Sequence, residues 1–179
     1  MRNKLKNMSL AALGAAVLCV LAPLSLPVGT LPITLSFFAL LLVAGILSPK
    51  AAIPAVLVYI ALGAVGVPVF SNFSGGFQVI AGPTGGFIVG YLPMAIIVSI
   101  FKGNLPKTVI IMTCSAILGY LSGCLWMSFT TESTFLASLL YTAATCAAPD
   151  TIKIIAAALL SCTIRKRLAV ARARQAGKP

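Results

Sequence analysis

"FSNFSGGFQVIAGPTGG", residues 70–86, lies between two long apolar runs and is unlike the rest of the chain. It holds five glycines, three phenylalanines and the two amides Asn72 and Gln78. Glycine lets a backbone adopt positive φ and pass close to a neighbour, and contiguous exposed apolar patches are uncommon on proteins. We therefore expect this loop to fold back onto flanking helices, with Phe70, Phe73, Phe77, Val79 and Ile80 buried against those helices or against a ligand.

The composition around this loop is that of a membrane protein. Of 179 residues, 60% are hydrophobic and 8% are charged, with a mean hydropathy of +1.09, whereas soluble domains carry about 25% charged residues. The formal charge of +11 allows nucleic-acid binding in principle. However, the basic residues cluster at the termini and in short gaps between apolar runs, where they meet lipid head groups. We expect a lipid bilayer and no nucleic acid as partner.

Six apolar runs approach the length of about 20 residues that crosses a bilayer. The first follows three basic residues and resembles a secretory signal, but its length and the runs after it indicate an uncleaved first helix. The sequence thus predicts an all-α integral membrane protein, a six-transmembrane-helix bundle forming one domain over residues 1–179. The predicted spans are 8–26, 31–48, 51–69, 84–101, 108–128 and 135–164.

Charge orients this bundle. Six spans put both termini on one side of the membrane, together with 12 of the 13 basic residues. The connections on the other side, residues 27–30, 70–83 and 129–134, contain no basic residue and one acid, Glu132. Basic residues of short loops face the cytoplasm. We expect a multi-pass protein of the cell membrane with cytoplasmic N- and C-termini. The twelve basic residues are Arg2, Lys4, Lys6, Lys50, Lys102, Lys107, Arg165, Lys166, Arg167, Arg172, Arg174 and Lys178.

Lys153 is the one basic residue inside an apolar run. It precedes Arg165 by 12 residues, so a helix places it about 18 Å from the cytoplasmic end, beyond the bilayer centre. A lysine there is costly unless it is paired or faces water or a ligand. Asp150 shares its helix face, so the two form either a self-neutralising pair or part of a pocket open to the outside. Pro149, expected to kink or restart the helix, favours the pocket.

The chain offers little for catalysis or metal binding. It has no histidine, its five cysteines form no CxxC motif, and its two carboxylates lie in unlike settings. Acid–base and zinc chemistry need more than this, and no GK[ST] follows the glycine-rich loop to make a phosphate site. We expect no catalytic residue, no metal, no cofactor and no enzyme activity.

Several segments resemble one known family. GVPVF (66–70), NFSGG (72–76) and AGPTGGFIVGYL (81–92) are similar to the signature of the BioY family, the biotin-specific S components of energy-coupling factor transporters. APDTIK (148–153) resembles the start of that family's sixth helix, and residues 31–52 resemble its second span, with Ser36 where the family often has glutamine. The resemblance runs from about Ala11 to Leu160.

This resemblance implies a high-affinity biotin-binding bundle whose ligand lies near the outer face, beneath the loops after helices one, three and five. Asn72 matches the family's loop asparagine, and Asp150 and Lys153 match its polar pair. Lys153 is expected to neutralise the biotin carboxylate, while loop aromatics and Tyr91 flank the bicycle. The expected biotin-binding residues are Asn72, Phe73, Gly75, Gly76, Gly82, Pro83, Thr84, Gly85, Tyr91, Asp150 and Lys153.

Small residues mark two possible helix-packing stripes. In the resembled family an AxxxA stripe on the first helix docks on the transmembrane coupling protein, so Ala11 and Ala15 are candidates for that contact, with packing inside the bundle as the alternative. For Ser115, Gly119 and Gly123 we expect internal packing. The chain has no ATP-binding motif, so the resemblance implies ATP-binding partner subunits as well.

Three other functions stay open from the sequence alone. The first is an S component for another vitamin such as thiamine or riboflavin. The second is a small membrane enzyme using Asp150 or Glu132, and the third is a membrane scaffold. A scaffold function does not explain the energetic cost of a buried Lys153. An enzyme would have only two carboxylates and no histidine for acid–base catalysis. Biotin capture is the function that the resemblance to the BioY family favours.

Overall fold

The computed structural model of the chain describes residues 2–26, 33–131 and 134–176. Two strands of two residues, β1 (Ser25–Leu26) and β2 (Ile33–Thr34), pair antiparallel after the first helix. A 3-10 turn (Ser71–Phe73) follows the third helix. The helices are α1 (Arg2–Leu21), α2 (Ser36–Ile46), α3 (Pro49–Val65), the short α4 (Phe77–Ala81), α5 (Gly85–Ile100), α6 (Leu105–Thr130) and α7 (Phe135–Ala176).

Within the described residues six long helices stand where six spans were predicted, so the predicted helical bundle is confirmed. The bounds differ in places. Helix α2 begins at Ser36 rather than at 31 because Ile33 and Thr34 belong to β2. Helix α7 continues past Arg165 to Ala176, and Pro149 lies inside it without ending it. Of the two effects expected of this proline, a restart of the helix is therefore wrong, and a kink stays a prediction.

Length and hydropathy single out two of the described helical segments as able to cross a membrane. These are Lys4–Leu21 and Leu105–Thr130, with mean hydropathies of 1.5 and 1.8. Helices α2, α3 and α5 are apolar but shorter. The 42 residues of α7 extend about 63 Å, so this helix is longer than the about 30 Å hydrocarbon core of a bilayer.

Small residues allow the closest helix contacts. Helix α5 packs against α6, and a Cβ added to Gly119 or Gly123 of α6 would lie 2.4 Å from Met94 Sδ or 2.3 Å from the Phe87 ring. Ser115 is fully buried on the same stripe. Internal packing of this stripe, as the sequence predicted, is therefore confirmed.

The alanine stripe of α1 also faces inward. Ala11 and Ala15 are only 7% and 4% exposed, because α1 packs against α3 along this side. Ala12 and Ala16 lie about 100° further around the helix and are exposed. Ala11 and Ala15 therefore pack inside the bundle, which is the alternative that the sequence left open. They are not available at the surface for a docking partner.

The antiparallel helices give the bundle two distinct ends. At the first, which we call the loop end, β1, β2 and residues 66–84 join α1 to α2 and α3 to α5. At the second, the basic end, residues 47–48 and 101–104 make the connections, beside the start of α1. The predicted cytoplasmic basic residues Lys6, Lys50 and Lys102 lie at this basic end. Glu132 and residues 27–30 fall outside the described residues.

We expect Gly86→Ala to destabilise the bundle, since the added methyl group would lie 2.2 Å from Trp126 Cβ and 2.8 Å from the Ser122 carbonyl oxygen. Overpacking of this kind costs about 1–3 kcal/mol. The measurement is the thermal unfolding temperature in detergent. Gly82→Ala is the control, because its methyl group would meet only carbonyl oxygens at 3.2 and 3.5 Å. Equal unfolding temperatures for the two variants would contradict a tight α5–α6 crossing.

Candidate functional site

A chamber lies between α2, α3, α5, α6 and α7 on the side of the loop end. Five helices and two connecting segments contribute to its wall, so its shape depends on the whole bundle. The lining residues are Thr34, Ser36, Phe37, Tyr59, Phe70, Ser71, Thr84, Phe87, Ile88, Tyr91, Met94, Gly119, Tyr120, Cys146, Asp150 and Lys153.

An ion pair forms the charged part of the chamber wall. Lys153 Nζ lies 2.7 Å from Asp150 Oδ1, and the two side chains are 12% and 9% exposed. The Tyr120 hydroxyl of α6 donates to the other carboxylate oxygen, Asp150 Oδ2, at 2.5 Å. A buried ion pair is tolerated when its remaining atoms are hydrogen-bonded, and here each carboxylate oxygen has a partner. The pair is thus self-neutralising and also lines the chamber, so the two alternatives posed by the sequence do not exclude each other, and the opening of the chamber to the outside stays a prediction.

Three hydroxyl groups form a second polar wall. Thr34 Oγ1 lies 2.6 Å from Ser36 Oγ, which lies 2.7 Å from the Tyr91 hydroxyl oxygen. The chain of contacts links β2, α2 and α5. A hydroxyl group has one donor and two acceptor positions, so these side chains keep hydrogen-bonding capacity beyond the contacts they make with one another. They can rotate to serve a polar ligand group.

Aromatic rings complete the chamber. The Phe37 and Tyr120 rings stack with centroids 6.3 Å apart and planes 5° from parallel. Tyr59 and Phe70 meet edge to face, with centroids 5.6 Å apart. The expected burial of Phe70 is confirmed, since it is 1% exposed. A Cβ at Gly63 would lie 2.1 Å from the Phe70 ring, so the absence of a side chain at position 63 makes room for this wall.

The glycine-rich loop is tied to the segment after α1. The Ser25 hydroxyl donates to Asn72 Oδ1 at 2.8 Å and accepts from the Asn72 backbone N–H at 2.9 Å. Asn72 has φ 56° and Phe73 φ 55°, the left-handed region that asparagine tolerates better than most residues. This reciprocal pair fixes the turn that carries Phe70 and Ser71 into the chamber wall.

The structure divides the ligand-binding residues expected from the sequence into two sets. Thr84, Tyr91, Asp150 and Lys153 line the chamber. The other seven lie outside its wall, and they are Asn72, Phe73, Gly75, Gly76, Gly82, Pro83 and Gly85.

Packing within the loop accounts for several of the residues outside the wall. A Cβ on Gly75 would lie 2.4 Å from the Val67 carbonyl oxygen, and one on Gly85 would lie 1.6 Å from that of Ile80. These glycines therefore allow the loop to fold on itself. Phe73 is 66% exposed and Phe77 is 70% exposed. The expected burial of these two rings against helices is wrong, because the 3-10 turn carries Phe73 away from the chamber and α4 presents Phe77 outward, while burial against a ligand stays a prediction.

Sequence reasoning missed most of the aromatic and hydroxyl walls. Tyr59 and Tyr120 each lie within an apolar helix, and a buried tyrosine hydroxyl usually has a hydrogen-bond partner. That requirement is the sequence signal that would have found Tyr120 as a partner of Asp150. Phe37 and Met94 carry no such signal, since they read as ordinary bundle core.

The chamber suits binding better than catalysis. It presents one charged pair, several hydroxyl groups and aromatic faces, the combination that orients a small, partly apolar ligand. In the described part of the chain no three His, Cys, Asp or Glu side chains gather as a metal site.

A helical bundle with a polar, aromatic chamber buried between its helices defines a membrane-embedded ligand-binding protein. The family model for the BioY family matches residues 1–170, so this chain belongs to that family. It is an integral membrane protein of a transporter family, which excludes the alternative of a small membrane enzyme.

Individual relatives agree with this assignment. Biotin transporter BioY2 of Lactococcus lactis subsp. cremoris is 38% identical over 73% of this chain and 74% of its own length. A probable biotin transporter BioY of Pyrococcus horikoshii is 38% identical over 70% of this chain and 76% of its own. Among solved structures, the S-component for biotin from an ECF-type ABC transporter matches with a TM-score of 0.85 at 25% identity, over 92% of this chain and 93% of that one.

We expect Asn72→Ala to loosen the loop without unfolding the bundle. It removes the Ser25 contact and puts alanine in left-handed backbone, and a lost hydrogen bond costs about 0.5–1.5 kcal/mol. Hydrogen exchange at residues 71–76 should become faster while exchange in α6 stays unchanged. Asn72→Asp retains the acceptor for Ser25 and is the matched control. Unchanged exchange in Asn72→Ala would show that this contact does not hold the loop.

Proposed function

We propose that this protein is the substrate-capture subunit for biotin uptake, the S component of an energy-coupling factor transporter. The observation that carries the proposal is the buried Asp150–Lys153 pair beside aromatic walls, in a bundle superimposable on a biotin S component over 92% of the chain. Relatives of 38% identity that are named biotin transporters support the same ligand.

The chamber chemistry matches the parts of biotin. Its bicycle is largely apolar and fits between aromatic rings such as Phe37 and Tyr59, which flank apolar ligands well. Its ureido group both donates and accepts hydrogen bonds, as do the hydroxyl groups of Ser36 and Tyr91. Its valerate carboxylate needs a cation, and the Lys153 ammonium has three donors, enough to serve Asp150 and a ligand together.

The loop completes the proposed site. Asn72 and the backbone around the loop glycines lie outside the chamber wall, so their contact with biotin requires the loop to close further over the ligand. The pairing of Asn72 with Ser25 would then exchange, in part, for pairing with a polar atom of biotin. Asp150 accepts hydrogen bonds from the ligand or orients Lys153 toward it.

We also propose cytoplasmic N- and C-termini, with the chamber open toward the outside. The support is the distribution of charge, since 12 of the 13 basic residues belong to the side that carries both termini. Short loops rich in lysine and arginine stay on the cytoplasmic side. Biotin would then enter from the loop end, and Lys153 would meet it in the outer half of the bilayer.

Energy for uptake would come from other subunits. The chain has no ATP-binding motif, and the matched solved structure is the S-component of an ECF-type ABC transporter. We therefore propose a transmembrane coupling protein and ATP-binding subunits as partners. On α1 the exposed Ala12 and Ala16, rather than the buried Ala11 and Ala15, offer a flat surface for close helix contact.

Lys153→Met should lower biotin affinity about 10–100-fold, because a hydrogen bond to a charged group contributes about 1.5–3 kcal/mol. The affinity for biotin amide, which lacks the carboxylate charge, should fall much less. Isothermal titration of purified protein measures both constants, and the unfolding temperature reports whether the variant is folded. Equal losses for the two ligands would remove the proposed role of Lys153. Tight binding of thiamine or riboflavin with none of biotin would favour an S component for another vitamin.

Ala12→Trp combined with Ala16→Trp should leave biotin binding unchanged and reduce ATP-driven biotin uptake in vesicles at least about tenfold, since bulky residues prevent close helix approach. Leu13→Trp, on an exposed position of the same helix, is the matched control. Normal uptake by the double variant would place the coupling surface elsewhere.

A further inference from the structure

A second cavity, of about 570 Å³, opens at the basic end, remote from the chamber. Three lysines from different elements line it, which are Lys6 of α1, Lys50 of α3 and Lys102 of the α5–α6 connection. We call this cavity the basic cleft. Placing like charges around one cavity is electrostatically unfavourable, because like charges repel one another.

The chain itself supplies no anion to the basic cleft within the described residues. Asp150 is the one acid among them, and it is committed to Lys153 and Tyr120 in the chamber. Within the described residues the neighbouring Arg165 contacts neutral partners, which are the Gly103 carbonyl oxygen and Thr108 Oγ1 at 3.1 Å, the Ser161 carbonyl oxygen at 3.4 Å and Cys162 Sγ at 3.0 Å. No described acid offsets the positive charge of this region, so an anion bound there would come from outside the described chain.

The surroundings of Lys102 disfavour its positive charge. Its ammonium group donates to the Leu47 carbonyl oxygen, and its side chain is partly buried. Burial, with a smaller contribution from the charge of Arg165, lowers the pKa of Lys102 to about 8. An anion bound beside it would offset both effects, because an opposite charge favours the protonated amine.

Beyond its lysines the basic cleft is lined by more apolar than polar residues, the polar ones being Asn7, Ser48 and Ser99. Leu10, Ile46 and Leu47 lie beside the lysines, and Leu168 of α7 closes another side. A free phosphate ion makes no favourable contact with such a wall, whereas the glycerol and upper acyl carbons of a phospholipid can pack against it. Basic pockets between transmembrane helices on the cytoplasmic side are sites at which phospholipid head groups bind.

We infer that the basic cleft binds the phosphate group of an anionic phospholipid, with Lys6, Lys50 and Lys102 around the phosphate and the leucines against the acyl chains. The inference needs only a chain embedded in a bilayer and does not rest on biotin as the ligand of the chamber. It assigns a bound lipid to the junction of α1, α3 and α7, where it would stabilise their packing.

Delipidated protein in a non-ionic detergent, titrated with phosphatidylglycerol or phosphatidylcholine, tests the inference by native mass spectrometry. Phosphatidylglycerol should bind and raise the unfolding temperature, with phosphatidylcholine much weaker. Each lysine near a lipid phosphate contributes enough for about a fivefold change in affinity. Lys102→Gln should therefore weaken binding about fivefold, and the Lys6→Gln/Lys50→Gln double variant about 25-fold.

The exposed Lys107, five residues after Lys102, does not line the cleft, so Lys107→Gln is the matched control and should bind as the unmodified protein does. Both exposed lysines of the double variant can be replaced without disturbing the fold, which keeps the test valid if Lys102→Gln misfolds. Equal phosphatidylglycerol binding by the cleft variants and the control would overturn the inference.

Two further arms separate the sources of the anion. Inorganic phosphate alone should neither raise the unfolding temperature as phosphatidylglycerol does nor displace it. If it does both, the site takes free phosphate and the lipid assignment is wrong. If the double variant binds lipid normally but no longer assembles with the energising subunits, the cleft receives an acidic segment of a partner and the inference is again wrong.

Discussion

The ion pair between Asp150 and Lys153 is the interaction on which the site depends. A charge in the apolar interior of a bundle is expensive, and removing one member of a buried pair costs about 3–5 kcal/mol because the other is left uncompensated. The structure meets this requirement locally, with Lys153 on one carboxylate oxygen and Tyr120 on the other. The stacking of Phe37 on Tyr120 then fixes the ring that makes the second contact. Three helices are thereby oriented around one carboxylate.

The two ends of the bundle use charge in opposite ways. In the chamber, the one described acid neutralises a lysine, so the site is polar but carries no net charge. At the basic end three lysines line one cavity, and Lys102 donates to a neutral backbone carbonyl. A ligand of the chamber is therefore selected by short-range contacts, that of the Lys153 ammonium among them, whereas the basic end attracts anions by long-range charge. This asymmetry follows from having only two acids in 179 residues.

The sequence predicted the features that depend on spacing and on hydrophobic run length. The six helices and the shared face of Asp150 and Lys153 are of this kind, because a helix of known pitch fixes both. It could not decide between Ala11/Ala15 and Ala12/Ala16, since both pairs have the same spacing and only the position of α3 shows which one is buried. Nor could it place Phe73 and Phe77, because the left-handed backbone at Asn72 and Phe73 decides where that loop turns. Tyr120 was missed because its partner lies 30 residues away.

The link between Ser25 and Asn72 bears on how long a guest molecule stays inside. Ser25 pairs in register with Thr34, and Thr34, Phe70 and Ser71 all belong to the chamber wall. Through the Ser25–Asn72 contacts, two segments separated by 47 positions move as one cap. While these contacts hold, a guest leaving past this cap would displace both segments together, so its residence time would depend on the joint cap as well as on the guest's own contacts.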